Sequence, residues 1–184
     1  LPVRTDRRLR RIPWFNGALI AANVIVFMFT GQRMQAASWL IKRGFPIEAV
    51  EQKFRVLGFY LMPEHPQLYQ FISYQFLHSD WMHLLGNMLF LYVFGNSVED
   101  RLGRVGYLSF YLAGGAIAGL GHVLLDPNAV PVIGASGAVA AVTGAYLALF
   151  PLSYVTIMLW FLVPLTSFEV SSVLLILFRV AQDL

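Results

Sequence analysis

Apolar runs separated by short polar or charged stretches dominate the pattern along this chain. A helix needs about 20 mainly apolar residues to cross about 30 Å of hydrocarbon, and most of these runs approach or reach that length. The pattern predicts an all-α, polytopic membrane bundle, with residues 1–13 as a basic N-terminal segment and residues 14–184 as one transmembrane domain. The five predicted spans cover about residues 14–30, 81–96, 105–125, 136–150 and 154–178.

A long mixed segment separates the first two predicted spans. It runs from Gly31 to about Ile72 and interleaves charged residues with aromatic residues and prolines. This mixture is typical of structure that lies at the headgroup level and contains short amphipathic helices. We therefore predict a membrane-lying first loop.

The composition favours a membrane protein over a soluble one. Hydrophobic residues make up 58% of the chain and charged residues 12%, whereas a soluble domain averages about 25% charged residues. Too few polar side chains are present to cover a globule of this size, so the apolar excess must face lipid. The chain has no cysteine, which excludes disulfides and cysteine metal sites.

The arginines predict the orientation in the membrane. Five of them crowd the first eleven residues, at Arg4, Arg7, Arg8, Arg10 and Arg11. Beside a membrane span, the positive-inside rule explains this cluster better than nucleic-acid binding does. The N-terminus and the turn at residues 99–104 are therefore assigned to the cytoplasm, and the turn at residues 126–133 to the outside. A bacterial inner membrane suits this pattern.

Ser136 is the candidate nucleophile, in the run Gly134-Ala135-Ser136-Gly137 at the start of the fourth span. Glycines let a substrate backbone approach closely, and a helix N-terminus stabilises developing negative charge. For a lone serine in such a run, a helix cap or a close helix contact would be the better explanation. Ser136, Ala140 and Gly144 recur every four residues, which predicts a close-contact stripe.

His83 and Asn87 start the second span, at the same predicted outer depth as Ser136. Residues four apart project from one face of a helix. Polar groups at membrane depth are costly and usually functional. An amide and an imidazole on one face can supply the donors that an oxyanion requires. Ionisable residues gather at the span ends, which disfavours a transporter or channel.

Three runs together resemble the rhomboid family of intramembrane serine proteases. They are His78-Ser79-Asp80-Trp81-Met82-His83-Leu84-Leu85-Gly86-Asn87, then Glu99-Asp100-Arg101, then Gly134-Ala135-Ser136-Gly137. The resemblance covers about residues 13–184 and implies a rhomboid-like bundle with five of six spans present. It implies an intramembrane endopeptidase that acts on transmembrane proteins within a lipid bilayer, without metal or organic cofactor.

The resemblance also implies the site roles. Ser136 becomes the nucleophile, and His83 and Asn87 help to form the oxyanion hole, with Gly134 as the first glycine of the motif. Structural roles are implied for Glu99, Arg101, His78 and Gly137. Gln75, His78 and Ser79 are expected to hold water near the outer end of the second span.

One departure concerns the general base. The family takes the histidine of its Ser–His dyad from a sixth span, in an A-H-x-x-G setting that these 184 residues do not contain. We expect that histidine beyond residue 184, and little activity from residues 1–184 alone. Two alternatives stay open. In the first, the protein would be a catalytically inactive relative that binds membrane clients. In the second, another histidine, such as His65 or His122, would be the base.

Overall fold

The computed structural model describes residues 2–5, 9–46, 49–50, 53, 57–125, 130–159 and 166–176. Predictions for Arg7 and Arg8, for residues 47–48, 51–52 and 54–56 of the first loop, for residues 126–129 of the outer turn, and for residues 160–165 and 177–184 fall outside this part of the chain. Within it, the elements are β1 (Pro2–Thr5), α1 (Trp14–Lys42), α2 (Gln70–Ser73), α3 (Trp81–Phe90), α4 (Asn96–Leu102), α5 (Arg104–Leu125), α6 (Ser136–Leu149), β2 (Tyr154–Leu159) and β3 (Thr166–Ser171).

Helix α1 is longer than the sequence pattern predicted. It spans 29 residues, about 43 Å at 1.5 Å per residue, and so continues for twelve residues past the expected end near Thr30. Its buried residues recur every three or four positions, at Asn16, Leu19, Asn23, Phe27, Gly31, Met34 and Ala37. This face runs the whole length of the helix, because the far end packs on Tyr60 and Leu77. The first loop therefore begins after Lys42.

Helices α3 and α4 form one continuous helical stretch through a π-helical turn at Leu91–Gly95. The stretch passes the predicted span end near residue 96 and stops at Leu102. Gly103 then joins α4 to α5 with a φ of 75°, a conformation that glycine adopts without steric cost. The turn predicted at residues 99–104 is thus wrong, because residues 99–101 lie within α4.

Helices α5 and α6 pack through small residues, on a different face from the predicted stripe. A Cβ built at Gly114 would lie 2.5 Å from the Cβ of Ala141, and one at Gly137 would lie 2.5 Å from the Cβ of Ala118. The two pairs cross in antiparallel order and bring the backbones close together. The predicted stripe was wrong, since a Cβ at Gly144 would meet nothing within 4 Å.

The predicted fifth helical span is not formed over its described residues. Strands β2 and β3 pair antiparallel there, and β1 pairs antiparallel with β2, giving the order β1-β2-β3. Helical structure begins only at residue 172. The β-branched run Val155-Thr156-Ile157 favours a strand, and an apolar run alone does not separate strand from helix. Residues 2–5, expected as a plain basic segment, supply the edge strand.

The first loop folds against the segment that leads into α6. Leu61 and Val132 form an antiparallel bridge with N···O distances of 3.1 and 3.0 Å. The hydroxyl of Tyr74 donates to the carbonyl of Gly115 at 2.6 Å. These bonds hold the loop to α5 and to the start of α6, close to the candidate nucleophile.

Large apolar side chains cover much of the outer surface of the described residues. Phe29 is 80% exposed, Met82 79% and Ile117 70%. Helices α1 and α5 are long and apolar enough to cross a membrane, and α6 is a shorter apolar helix. Such a surface suits lipid, while the aromatic core at Phe94, Tyr107 and Tyr146 packs inside.

Candidate active site

Helix α3 carries the two polar residues that were predicted to act together, His83 and Asn87. Asp80 precedes the helix in extended backbone, and its Oδ1 accepts the backbone N–H of His83 at 2.9 Å. This N-cap determines where the helix begins. His83 and Asn87 follow four residues apart on one side, and Asn87 is fully buried.

His78 lies between these two side chains and joins them. The Nδ2 atom of Asn87 is 3.2 Å from Nε2 of His78, and the rings of His78 and His83 meet edge to face at 5.0 Å. Burial, followed by the proximity of His83, lowers the pKa of His78 to about 3. Its imidazole is therefore neutral at physiological pH and accepts the amide hydrogen of Asn87 through Nε2.

The segment before α6 reaches the His83 ring through Gly134. This residue has a φ of 118°, and its N–H donates to the carbonyl of Tyr74 at 2.9 Å. A Cβ built there would lie 2.5 Å from Nε2 and 2.6 Å from Cε1 of His83. Glycine is needed for the backbone conformation and for the space. The contact brings the glycine-serine motif and the α3 histidine together.

Ser136 is the first residue of α6 and is half-buried. The N-cap of α6 is Ala135, whose side chain makes no hydrogen bond to the first turn of the helix. The first N–H groups of a helix have no partner within the helix and carry its partial positive charge. An anionic oxygen that forms beside Ser136 would therefore meet donors from the backbone as well as the α3 side chains.

Ser79 and Asp80 complete a hydrogen-bonded chain behind His83. The hydroxyl of Ser79 donates to Oδ2 of Asp80 at 2.7 Å and lies 3.2 Å from Nδ1 of His83. The backbone N–H of His83, followed by the Ser79 hydroxyl, lowers the pKa of Asp80. Sequence reasoning assigned Ser79 to water and gave Asp80 no role. An aspartate directly before an apolar helix is a capping signal that predicts this position.

Glu99 and Arg101 have separate places at the opposite end of the bundle. The buried carboxylate of Glu99 accepts the backbone N–H of Phe15 at 3.1 Å and of Asn16 at 2.7 Å. It thereby caps the first turn of α1, for which Pro13 supplies no side chain. Arg101 is exposed.

Asn16 extends this contact into a network around the π-helical turn. Its Nδ2 donates to the carbonyl of Leu91 at 2.8 Å and to Oδ1 of Asn96 at 2.7 Å. Its Oδ1 accepts the hydroxyl of Tyr107 at 2.6 Å. A π-helical turn interrupts the regular i→i+4 bonding, and the Leu91 carbonyl finds its partner in α1. From the sequence, Asn16 was expected only to face other helices, and Tyr107 was given no role.

The remaining predicted residues lie apart from this cluster. Gln75 donates to the carbonyls of Phe71 and Leu112 and so turns toward α5 rather than toward Ser79. His65 is exposed in the first loop, and His122 lies on α5. In the part of the chain that the structure describes, no three His, Asp or Glu side chains group to hold a metal.

Comparison with known proteins places this chain in a family. Residues 65–182 match the model of the Rhomboid domain. The chain is 37% identical over 111 residues to Rhomboid-like protein 11, chloroplastic, of Arabidopsis thaliana, an alignment that covers 59% of this chain and 40% of that protein.

Two further relatives come from other kingdoms. The chain is 29% identical over 114 residues to the Putative rhomboid protease YdcA of Bacillus subtilis, covering 62% of this chain and 57% of the relative. It is 30% identical over 127 residues to Rhomboid-related protein 2 of Mus musculus, covering 68% and 39%. The chain thus spans less than two thirds of the length of each relative.

Proposed function

Because the chain belongs to the rhomboid family, a family of membrane proteins that includes proteases, we propose that it is an intramembrane serine endopeptidase. Its substrates are transmembrane segments of other membrane proteins. The proposed setting is a bacterial inner membrane with the N-terminus in the cytoplasm, supported by the arginine cluster before α1.

One observation carries the proposal, the contact of Gly134 with the ring of His83. It supports a joint site, because Gly134 stands two residues before Ser136 and His83 is joined through His78 to Asn87. If Ser136 only capped the helix, neither the close contact between Gly134 and the His83 ring nor the buried amide of Asn87 would be required. The cluster also lies beside the first turn of α6, where the backbone donors are.

The proposed mechanism gives each group one task. The Oγ of Ser136 attacks the carbonyl carbon of the scissile bond, and its proton passes to a histidine base, which we propose lies in a sixth span beyond residue 184. The tetrahedral oxyanion is held by His83, by Asn87 and by the N–H of Ser136. The base then protonates the leaving amine, and water hydrolyses the acyl-enzyme.

A serine-directed fluorophosphonate probe tests the nucleophile in the protein made from the complete gene, purified in mild detergent. We expect labelling of the wild type and background labelling of Ser136→Ala. Ser109→Ala is the matched control, since Ser109 is an exposed serine on α5, and it should label like the wild type. Labelling that survives Ser136→Ala places the nucleophile elsewhere.

The same protein distinguishes the alternative function. If a wild-type protein that is folded in detergent neither labels nor cleaves membrane substrates in liposomes, the inactive client-binding relative replaces the endopeptidase. Substrate cleavage that maps within a transmembrane segment, and that stops in Ser136→Ala, supports the proposal.

A further inference from the structure

Three side chains beside the candidate oxyanion site form a short proton chain. It runs from the carboxylate of Asp80 through the hydroxyl of Ser79 to Nδ1 of His83, with distances of 2.7 and 3.2 Å. Asp80 is held in place independently, because its other oxygen accepts the backbone N–H of His83 at 2.9 Å. The chain is therefore anchored at both ends to the first turn of α3.

A count of protons decides the direction of each bond. A carboxylate only accepts hydrogen bonds, and a serine hydroxyl has one hydrogen to donate. That hydrogen goes to Asp80, so the oxygen of Ser79 can only accept from His83. Nδ1 of His83 must then carry a proton. In a neutral imidazole this leaves Nε2 without one, on the ring edge that lies against Gly134.

We propose that Ser79, oriented by Asp80, is a positioning residue that fixes the proton of His83 on Nδ1 and so makes Nε2 an acceptor toward the Gly134–Ser136 segment. The assignment follows from hydrogen-bond donors and acceptors alone. Its catalytic meaning rests on the proposed function.

The consequence for an oxyanion site is specific. A ring whose Nε2 lacks a proton cannot donate to an oxyanion, so His83 must first take up a second proton from solvent water. The resulting imidazolium keeps its Nδ1–H bond to Ser79, and the carboxylate of Asp80 at the end of the chain balances the charge. A charged His83 and the neutral amide of Asn87 would then hold the oxyanion together.

The tautomer can be read directly by NMR. The full-length protein is labelled with ¹⁵N-histidine in detergent micelles, and His83 is assigned by the loss of its signals in His83→Gln. At a pH where the ring is neutral, we expect Nδ1 in the protonated range and Nε2 in the unprotonated range. A wild-type His83 that carries its proton on Nε2 overturns the proposal.

Variants separate positioning from a merely structural effect. Ser79→Ala removes the acceptor and should move the proton partly or wholly to Nε2, while Ser79→Thr keeps a hydroxyl and should restore the wild-type pattern. Asp80→Asn keeps the cap through its oxygen, but its amide donates to Ser79, which can then donate to Nδ1 and reverse the tautomer. Unchanged Nδ1 protonation in both Ser79→Ala and Asp80→Asn overturns the proposal.

Ser73→Ala is the matched control. Its hydroxyl donates to the carbonyl of Phe59 at 2.9 Å in the neighbouring loop, so the loss of this bond should leave the His83 signals unchanged. The NMR measurement needs no turnover. A protein without peptidase activity but with the expected tautomers would therefore reject the proposed function and keep this assignment, and the reverse result would do the opposite.

Discussion

Two buried polar networks occupy opposite ends of the bundle, and they differ in how completely they are bonded. At the end that holds the first turn of α1, both amide hydrogens and the carbonyl oxygen of Asn16 have partners, and Glu99 takes two backbone N–H groups; this is the Asn16 network. At the end that holds the first turn of α3, in the Asn87 network, the buried Oδ1 of Asn87 has no partner among the described residues. A fully bonded network holds helices together. An incompletely bonded one leaves capacity for a ligand or for water.

The largest expected effect is on turnover, at the Asn87 network. Asn87→Ala removes a proposed oxyanion donor, which should cost about 2.7–4 kcal/mol of transition-state stabilisation, or a 10²- to 10³-fold lower kcat. His83→Ala should act similarly, with the fold and detergent extraction largely intact. The measurement is cleavage of a membrane substrate in liposomes, beside an unfolding curve. If either variant only unfolds the protein, the oxyanion assignment loses its support.

The Asn16 network should lose stability rather than turnover when it is disrupted. Asn16→Ala leaves the carbonyl of Leu91 and the hydroxyl of Tyr107 without their partner, and each buried orphan costs about 1–3 kcal/mol. We expect about 3 kcal/mol less stability in denaturing detergent mixtures, with normal kcat for the folded fraction.

Asn23→Ala is the control for this prediction. Asn23 is also a buried asparagine of α1, but its amide donates to the carbonyl of Leu19 in its own helix, and outside α1 it meets Tyr111. Asn16 bonds to three residues outside α1, so Asn23→Ala should lose less stability than Asn16→Ala. Equal losses would show that the larger set of bonds between helices has no special weight.

The packing of α6 against α5, close to the Asn87 network, can be tested at Gly137. Gly137→Val forces a branched side chain against Ala118, where even a Cβ would lie 2.5 Å away, and overpacking of this kind costs about 1–3 kcal/mol. Gly144→Val is the matched control on the same helix, because open space surrounds that position. A thermal unfolding midpoint that stays unchanged in Gly137→Val contradicts the close contact of α5 and α6.

The smallest expected effect is the pH dependence of stability that arises from His78, which belongs to the Asn87 network. The pKa of His78 is lower in the folded protein than in the unfolded chain. Below the ordinary pKa of histidine, the unfolded chain therefore binds a proton that the folded protein does not. The free energy of unfolding thus decreases as the pH falls. At pH 5.5 the loss relative to pH 7 is about 1.3 kcal/mol, given an unfolded pKa of about 6.5. His78→Gln should remove this part of the pH dependence, while the exposed His65→Gln should not. Identical pH profiles for both variants would argue against the buried, neutral His78.

The sequence predicted that Gly134 and His83 lie close together, and it missed several features of the architecture around them. Two local patterns in the sequence carried this prediction: the four-residue spacing of His83 and Asn87, and Gly134 two residues before Ser136. The structure brings Gly134 and His83 into contact. Neighbouring residues could not show whether the row with Ser136, Ala140 and Gly144 or the row with Gly137 and Ala141 faces α5. That depends on where Gly114 and Ala118 lie on α5. The strands after residue 153 were missed because an apolar run fits either helix or strand.

The extension of α1 past Thr30 had a sequence signal. Phe27, Gly31, Met34 and Ala37 continue the helical spacing of three and four, but the charged residues nearby favoured a loop. The Asn16 network had no comparable signal. Its partners lie on three separate helices, and only their packing brings Leu91 and Tyr107 to the same amide.

The bridge between Leu61 and Val132 has a mechanical consequence. Val132 stands four residues before Ser136, and two backbone hydrogen bonds tie it to the first loop. A ligand that displaces this loop would therefore also shift the segment that leads into Ser136. The proposed nucleophile could thus be disturbed from a distance, without any contact to its own side chain.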